Sequence, residues 1–248
     1  MKTAIIIPSR LGSTRLPRKP LRDIAGMTLI ERVYRQCKKA SGIEMVLVAT
    51  DSDEIAKHVN AFGAGAIMTP EECANGTERV AYAARHLAED FDVIMNVQGD
   101  EPLIDPTVIE RVAKAFEDNT VVIATPIAPI TEKNDIENPN IAKVVTDKND
   151  NIIYFSRSVI PFDRDADTSH KSYASYWKHI GLYAFRRKIL EEIKHHPPTE
   201  LEEIEKLEQL RWLYHGYKIK AIRVEYNSVE VNTEEDVKKV EAILKNNL

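Results

Sequence analysis

The stretch AIIIPSRLGSTRLPRKPL, residues 4–21, decides how the chain is read. Ile5-Ile6-Ile7 is an apolar β-branched run of the kind buried on both faces of a parallel sheet, and Pro8 lacks the backbone donor that would continue the ladder. A loop therefore opens at Ser9. It gathers Arg10, Arg15, Arg18 and Lys19 around Gly12, Ser13 and Thr14. Backbone N–H groups, hydroxyls, forked guanidinium and point-like ammonium together suit the oxygens of a triphosphate. Composition alone supports a solvated basic loop after an edge strand equally well. Neither G-x-G-x-x-G nor G-x-x-x-x-G-K-[ST] occurs here, so two common phosphate motifs are excluded.

With 43% hydrophobic and 29% charged residues, 248 residues suffice for one sizeable core, and one α/β domain with an inserted lobe is expected. A net charge of -5 gives no overall pull toward nucleic acid or anionic membrane, so any basic site must be local. No signal-type apolar segment precedes the first strand and no apolar run approaches a bilayer span, which predicts a cytoplasmic protein. Cys37 and Cys73 lack C-x-x-C spacing and read as structural thiols.

Met27 to Ser41 carries apolar residues at Leu29, Ile30, Val33, Tyr34 and Cys37 and stops before Gly42, which predicts a helix. A strand is predicted over 45–50, then a helix opened by Asp51 with Glu54 as a capping box, then a strand over 66–69. In N-G-T-E-R either Asn75 or Thr77 can cap the next helix. Asn75, Gly76, Thr77 and Arg79 then face a base or phosphate, or form a plain cap with Arg79 in solvent. FDVIMNV, residues 91–97, predicts a buried strand leading into Gln98-Gly99-Asp100-Glu101-Pro102. Asp100 lies at the strand end where open α/β sheets bind ligands, as a Mg²⁺ ligand or as an ordinary turn residue. Asp105-Pro106 supplies a cap and a first-turn proline for a helix to about Phe116.

These alternations predict a doubly wound, mostly parallel sheet. The remainder changes character: a strand over 121–129, a hairpin of 143–146 with 151–156, and a long aperiodic loop over 157–177 containing Arg157, Arg164 and Lys171. A strand over 178–185 carries His179 and Tyr183, and helices are predicted over 187–194, over 200–214 without a break, and from Thr233 onward. The single domain 1–248 thus holds an inserted lobe at roughly 125–190.

S-R-L-G-S-T-R-L-P-x-K-P-L, N-G-T-E-R, N-V-Q-G-D-E-P, Y-F-S-R-x-x-I-P-F-x-R, K-H-I-G-L-Y-A-F, L-E-Q-L-R and V-N-T-E-E-D occur in that order. The ordered set, spanning nearly the whole chain, resembles the 3-deoxy-manno-octulosonate (Kdo) cytidylyltransferases. That resemblance implies a Rossmann-like nucleotide-diphospho-sugar transferase fold, a homodimer, and conversion of CTP and Kdo, or its 8-amino analogue, to the CMP-sugar and pyrophosphate with Mg²⁺, for lipopolysaccharide or capsule synthesis. It assigns Ser9, Arg10, Gly12, Ser13, Thr14, Arg15, Lys19, Asn75, Gly76, Thr77, Arg79 and Gln98 to the nucleotide. It makes Arg10, Lys19 and Asp100 catalytic, and gives Arg157, Arg164, His179, Tyr183, Glu208 and Gln209 to the sugar.

Two positions depart from the family pattern. Asn232 replaces the aspartate expected beside Asp100 as second metal ligand, and is either a neutral oxygen ligand or the cap of the last helix. Arg18 stands where the family usually has glycine, with solvent its expected destination. A metal-dependent glycosyltransferase and a catalytically silent nucleotide sensor are the alternatives; the first is disfavoured by Gln98-Gly99-Asp100, which lacks an Asp-x-Asp pair.

Overall fold

Strand β1 (Lys2–Ser9) is buried along all but its first residue, and Ile5, Ile6 and Ile7 have no exposed surface. The structure, a computed structural model, describes residues 1–12, 15–164, 176–226 and 229–246. Two compact units are formed, one by residues 1–114 with 227–248 and one by 115–226.

In the first unit a small ribbon, β2 (Asp23–Ile24) with β3 (Met27–Thr28), precedes helix α1 (Leu29–Cys37). Positive φ at Ala25 and Gly26 reverses the chain there, so Met27 and Thr28 pair as a strand and the helix begins two residues later than its periodicity predicts. Strand β4 (Met45–Thr50) and helix α2 (Asp53–Ala61) follow. The cap of α2 is Ser52, whose hydroxyl accepts from Ile55 N, rather than the predicted Asp51. Strand β5 (Gly65–Met68), helix α3 (Gly76–Ala84), strand β6 (Phe91–Val97) and helix α4 (Pro106–Lys114) complete this run. β1 pairs in parallel with β4 and β6, and β4 in parallel with β5, giving the spatial order β5-β4-β1-β6. The strand ends therefore emerge together on one side.

In the second unit β7 (Ile123–Pro129) is the buried centre. Helix α5 (Lys133–Glu137) leads to the antiparallel hairpin of β8 (Lys143–Thr146) and β9 (Ile152–Ser156). β10 (Trp177–His179) and β11 (Leu182–Arg186) run antiparallel to β7. Helices α6 (Arg187–Ile193), α7 (Glu200–Glu205) and α8 (Gln209–Tyr214) come next, and β12 (Ile219–Arg223) pairs in parallel with β7. The unbroken helix predicted over 200–214 is thus two helices. Lys206 turns left-handed at φ 52, and Arg157 binds the carbonyls of Glu205 (2.7 Å) and Lys206 (3.3 Å), satisfying acceptors that a helix end leaves orphaned. The last helix, α9 (Glu234–Asn246), belongs to the first unit.

The α/β class holds, with a parallel sheet in the first unit and a mixed one in the second. Among the described residues no helix is long and apolar enough to cross a membrane.

Arg79 of α3 is 3% exposed and binds Asp51, at the end of β4, at 2.7 Å, and also Thr69 after β5. Removing one partner of a buried pair strands the other charge. Asp51→Ala should therefore lower stability in urea unfolding by about 3 kcal/mol; a loss below about 1 kcal/mol would place this pair with ordinary surface bridges.

Candidate functional site

The C-terminal ends of β1 and β6 open into a cavity of about 350 Å³. Its lining includes Ser9, Arg10, Gly12, Arg15, Lys19, Asn75, Gly76, Arg79, Gln98, Asp100 and Asn232, so the first unit alone gathers most of the residues assigned to nucleotide and metal. Ser13 and Thr14 lie outside the described residues.

Backbone proximity shapes this cavity. A Cβ on Gly99 would come within 3.0 Å of the Pro8 carbonyl, and one on Gly76 within 3.2 Å of the Pro8 ring and 3.3 Å of the Gln98 amide. Small residues are needed where the two strand ends and the α3 N-terminus meet Pro8. Asn75 caps α3 by accepting from Glu78 N at 2.8 Å, which settles its side chain as the cap; its place on the wall remains. Thr77 does not line the cavity; it accepts from Asn96, which in turn accepts from Gln98, so the pair holds the Gln98 amide from behind. Asn96 is fully buried within the otherwise apolar run over residues 93–97, a polar interruption that could have marked it in the sequence. Arg79 is not in solvent but paired with Asp51, and it lines the cavity.

Lys19 is the central contact. Its ammonium donates to Asp100 Oδ2 at 2.8 Å and to Asn232 Oδ1 at 3.0 Å, and Arg15 also reaches Asn232 Oδ1 at 3.3 Å. Asn232 is not the cap of α9. That role falls to Thr233, whose hydroxyl accepts from Asp236 N at 3.3 Å while the Asp236 carboxylate accepts from Thr233 N at 2.9 Å. The Asn232 side chain is thereby left for the cavity. Its Nδ2 donates to Glu230 at 3.0 Å. Desolvation of the Glu230 carboxyl, and then the nearby Asp100 charge, push its pKa up against the opposing Asn232 amide, Lys19 and Arg15. Glu230 had no motif to single it out. Arg18 sits at φ 56, in the left-handed region that glycine adopts most readily, and pairs on the surface with Glu54.

The Ser9 hydroxyl is buried on the cavity wall without a hydrogen-bond partner among the described residues. An orphaned donor of this kind costs free energy unless a ligand satisfies it. Two hard oxygens converge here on one cationic group beside further cations, and such a donor set could hold a hard cation next to a polyanion.

The residues assigned to the sugar all lie in the second unit. His179 packs edge-on against Phe155 (5.3 Å) and near Tyr183 (5.0 Å), and Tyr183 is 4% exposed against Trp212. Glu208 is close enough to Tyr183 to raise its pKa further, after burial. Gln209 is 3% exposed and its Nε2 has no partner among the described residues, a second orphaned polar group. Arg157 gives N–H groups to the carbonyls of Glu205, Pro139 and Lys206, so most of its fork is already engaged. Arg164 is exposed, and Lys171 lies outside the described residues.

A family profile described as cytidylyltransferase matches residues 4–220. A 3-deoxy-manno-octulosonate cytidylyltransferase of Chloroherpeton thalassium is 46% identical over 247 residues, covering 98% of both chains. One of Bacteroides thetaiotaomicron is 45% identical over 251 residues, covering 99% of both. A solved structure of CMP:2-keto-3-deoxy-manno-octonic acid synthetase complexed with CTP matches with a TM-score of 0.92 at 36% identity, over 100% of each chain. The 4-diphosphocytidyl-2C-methyl-D-erythritol synthase of Anaerococcus prevotii, 11% identical with a TM-score of 0.65, shares the fold.

Burial holds His179 at a pKa of about 3, so its ring is neutral near pH 7. Thr125 donates its only hydroxyl proton to Leu182 O (2.6 Å), so His179 Nε2, 3.0 Å from that hydroxyl, must be the donor. Because the folded value lies below the unfolded one of about 6.5, the unfolded chain takes up the proton first as pH falls. Stability present above pH ~6.5 should be lost toward pH 3, by up to about 1.4 kcal/mol per pH unit. His179→Gln should flatten that loss in urea titrations at pH 7 and pH 5; an unchanged slope would assign it to other groups.

Proposed function

The chain belongs to the 3-deoxy-manno-octulosonate cytidylyltransferase family, and from that premise we propose that it transfers the cytidylyl group of CTP to Kdo or a close analogue such as 8-amino-Kdo. The observation that carries this reading is Lys19, shared by Asp100 and Asn232 in a cavity already lined by Arg10 and Arg15. The anomeric hydroxyl of the sugar attacks the α-phosphorus of CTP; a new O–P bond forms, the hydroxyl proton passes to solvent or the departing pyrophosphate, and the α–β phosphoanhydride bond breaks with its electron pair leaving on pyrophosphate. Such a transfer depends on alignment and on neutralising charge. Lys19, Arg10 and Arg15 bind the triphosphate and offset the charge that develops on the departing pyrophosphate. Ser9, Gly12, Asn75, Gly76 and Gln98 shape the nucleotide site around it.

Mg²⁺ fits this donor set. Asp100 Oδ2 and Asn232 Oδ1 are hard oxygens that already converge on one cationic group, Lys19 Nζ. Among the described residues no group of three or more His, Cys, Asp or Glu side chains forms a metal cage, so phosphate oxygens and water must complete the shell. When bound, the metal supplies further charge neutralisation at the phosphates. Arg164 and Arg157 provide positive charge for the sugar carboxylate, and His179, Tyr183, Glu208 and Gln209 provide contacts for its hydroxyls. The proposal includes a cytoplasmic homodimer, supported by the family resemblance, in the pathway that builds lipopolysaccharide or capsule.

Pyrophosphate release on mixing the protein with CTP, Mg²⁺ and Kdo tests the reaction; an acceptor panel including 8-amino-Kdo identifies the sugar. Lys19→Ala should slow turnover by about tenfold or more, the equivalent of one lost charge-assisted contact of roughly 1.5 to 3 kcal/mol. A slowing of less than about threefold would remove Lys19 from the phosphate site. Light scattering should give twice the monomer mass, and a monomer at micromolar concentration would remove the dimer.

A further inference from the structure

An amide at position 232 raises a question of orientation and of charge. A carboxylate presents oxygen whichever way it turns, whereas an amide turned over would present two N–H groups to a cation. It would also bring less negative charge to a hard cation. In this chain the Asn232 amide is held at both ends. Oδ1 faces the donor-only groups Lys19 Nζ at 3.0 Å and Arg15 at 3.3 Å, while Nδ2 faces the acceptor-only carboxylate of Glu230 at 3.0 Å. The Glu230 carboxyl also lies within electrostatic reach of Asp100, Lys19 and Arg15.

The geometry points to Glu230 as a positioning residue that makes Asn232 serve as a metal ligand: it fixes the amide with its oxygen toward the cation position and supplies the negative charge that an amide lacks. Ligand and charge, carried by one side chain in an aspartate, are divided here between Asn232 and Glu230. This inference rests on the metal reading of Asp100 and Asn232. Orienting partners of this kind tune metal affinity without touching the ion.

The test is Mn²⁺ binding to the whole protein at saturating CTP, followed by electron paramagnetic resonance, with CTP affinity in EDTA measured alongside. Glu230→Ala should weaken Mn²⁺ by about tenfold or more, and Glu230→Gln, which keeps an acceptor for Nδ2 but no charge, by less. CTP affinity in EDTA should not fall in either variant. Asn232→Asp should strengthen Mn²⁺ binding more in the Glu230→Ala background than in the wild type, where the new carboxylate would sit against Glu230. Wild-type Mn²⁺ affinity in Glu230→Ala, equal gains from Asn232→Asp in both backgrounds, or a parallel fall of CTP affinity in EDTA would each overturn the role of Glu230. Asp100→Asn separates the two levels. If it abolishes Mn²⁺ binding while Glu230→Ala does not weaken it, only the Glu230 inference fails; if it leaves Mn²⁺ binding intact, the metal reading fails and the inference with it.

Discussion

The first unit depends on one constraint, the burial of β1 between two parallel neighbours. A strand paired on both edges by β4 and β6 and buried on both faces is apolar along its middle, as Ala4-Ile5-Ile6-Ile7 is. Pairing with β4 runs to Ser9, opposite Thr50, whereas pairing with β6 ends at Ile6, two residues before Pro8. Because β6 ends beside it, Gly99 and Gly76 can approach Pro8 more closely than any side chain would allow, and the space beyond becomes a cavity. The backbone of Val231 donates to the Asp100 carbonyl at 2.9 Å, bringing a segment from the far end of the chain to the same strand end.

Charge in this cavity is unevenly committed. Arg79 is neutralised by Asp51 and held rigidly, so it stiffens the α3 end of the wall rather than offering a mobile cation. Lys19 is instead shared between a carboxylate and an amide oxygen, one charged and one neutral partner. The Ser9 hydroxyl, buried on the wall of the same cavity, has no hydrogen-bond partner among the described residues.

The second unit places its functional candidates differently. His179 and Tyr183 are packed against Phe155, Phe185 and Trp212, where desolvation lowers the histidine pKa and raises the tyrosine's, and Gln209 is buried at the start of α8. Arg157 shows how one residue serves structure first: by binding the carbonyls of Glu205 and Lys206 it stabilises the left-handed turn between α7 and α8, and so fixes where Glu208 and Gln209 begin the next helix.

The sequence by itself determined the elements and their chemistry. The period-3.6 and β-branched runs marked the parallel strands and most helices, Asp105-Pro106 marked a cap and Asn75 or Thr77 another, and the basic loop after Ile7 marked one wall of the cavity, because these depend on local propensity and on burial that patterning reveals. Only the tertiary structure decided what depended on residues distant in the chain. The late start of α1 needed the Asp23–Ile24 partner, and the break at Lys206 needed Arg157. The burial of Arg79 needed Asp51 and Thr69. The choice between cap and cavity for Asn232 turned on Thr233 taking the cap and on Lys19, 213 positions away, taking the amide oxygen, a pairing that no local pattern encodes.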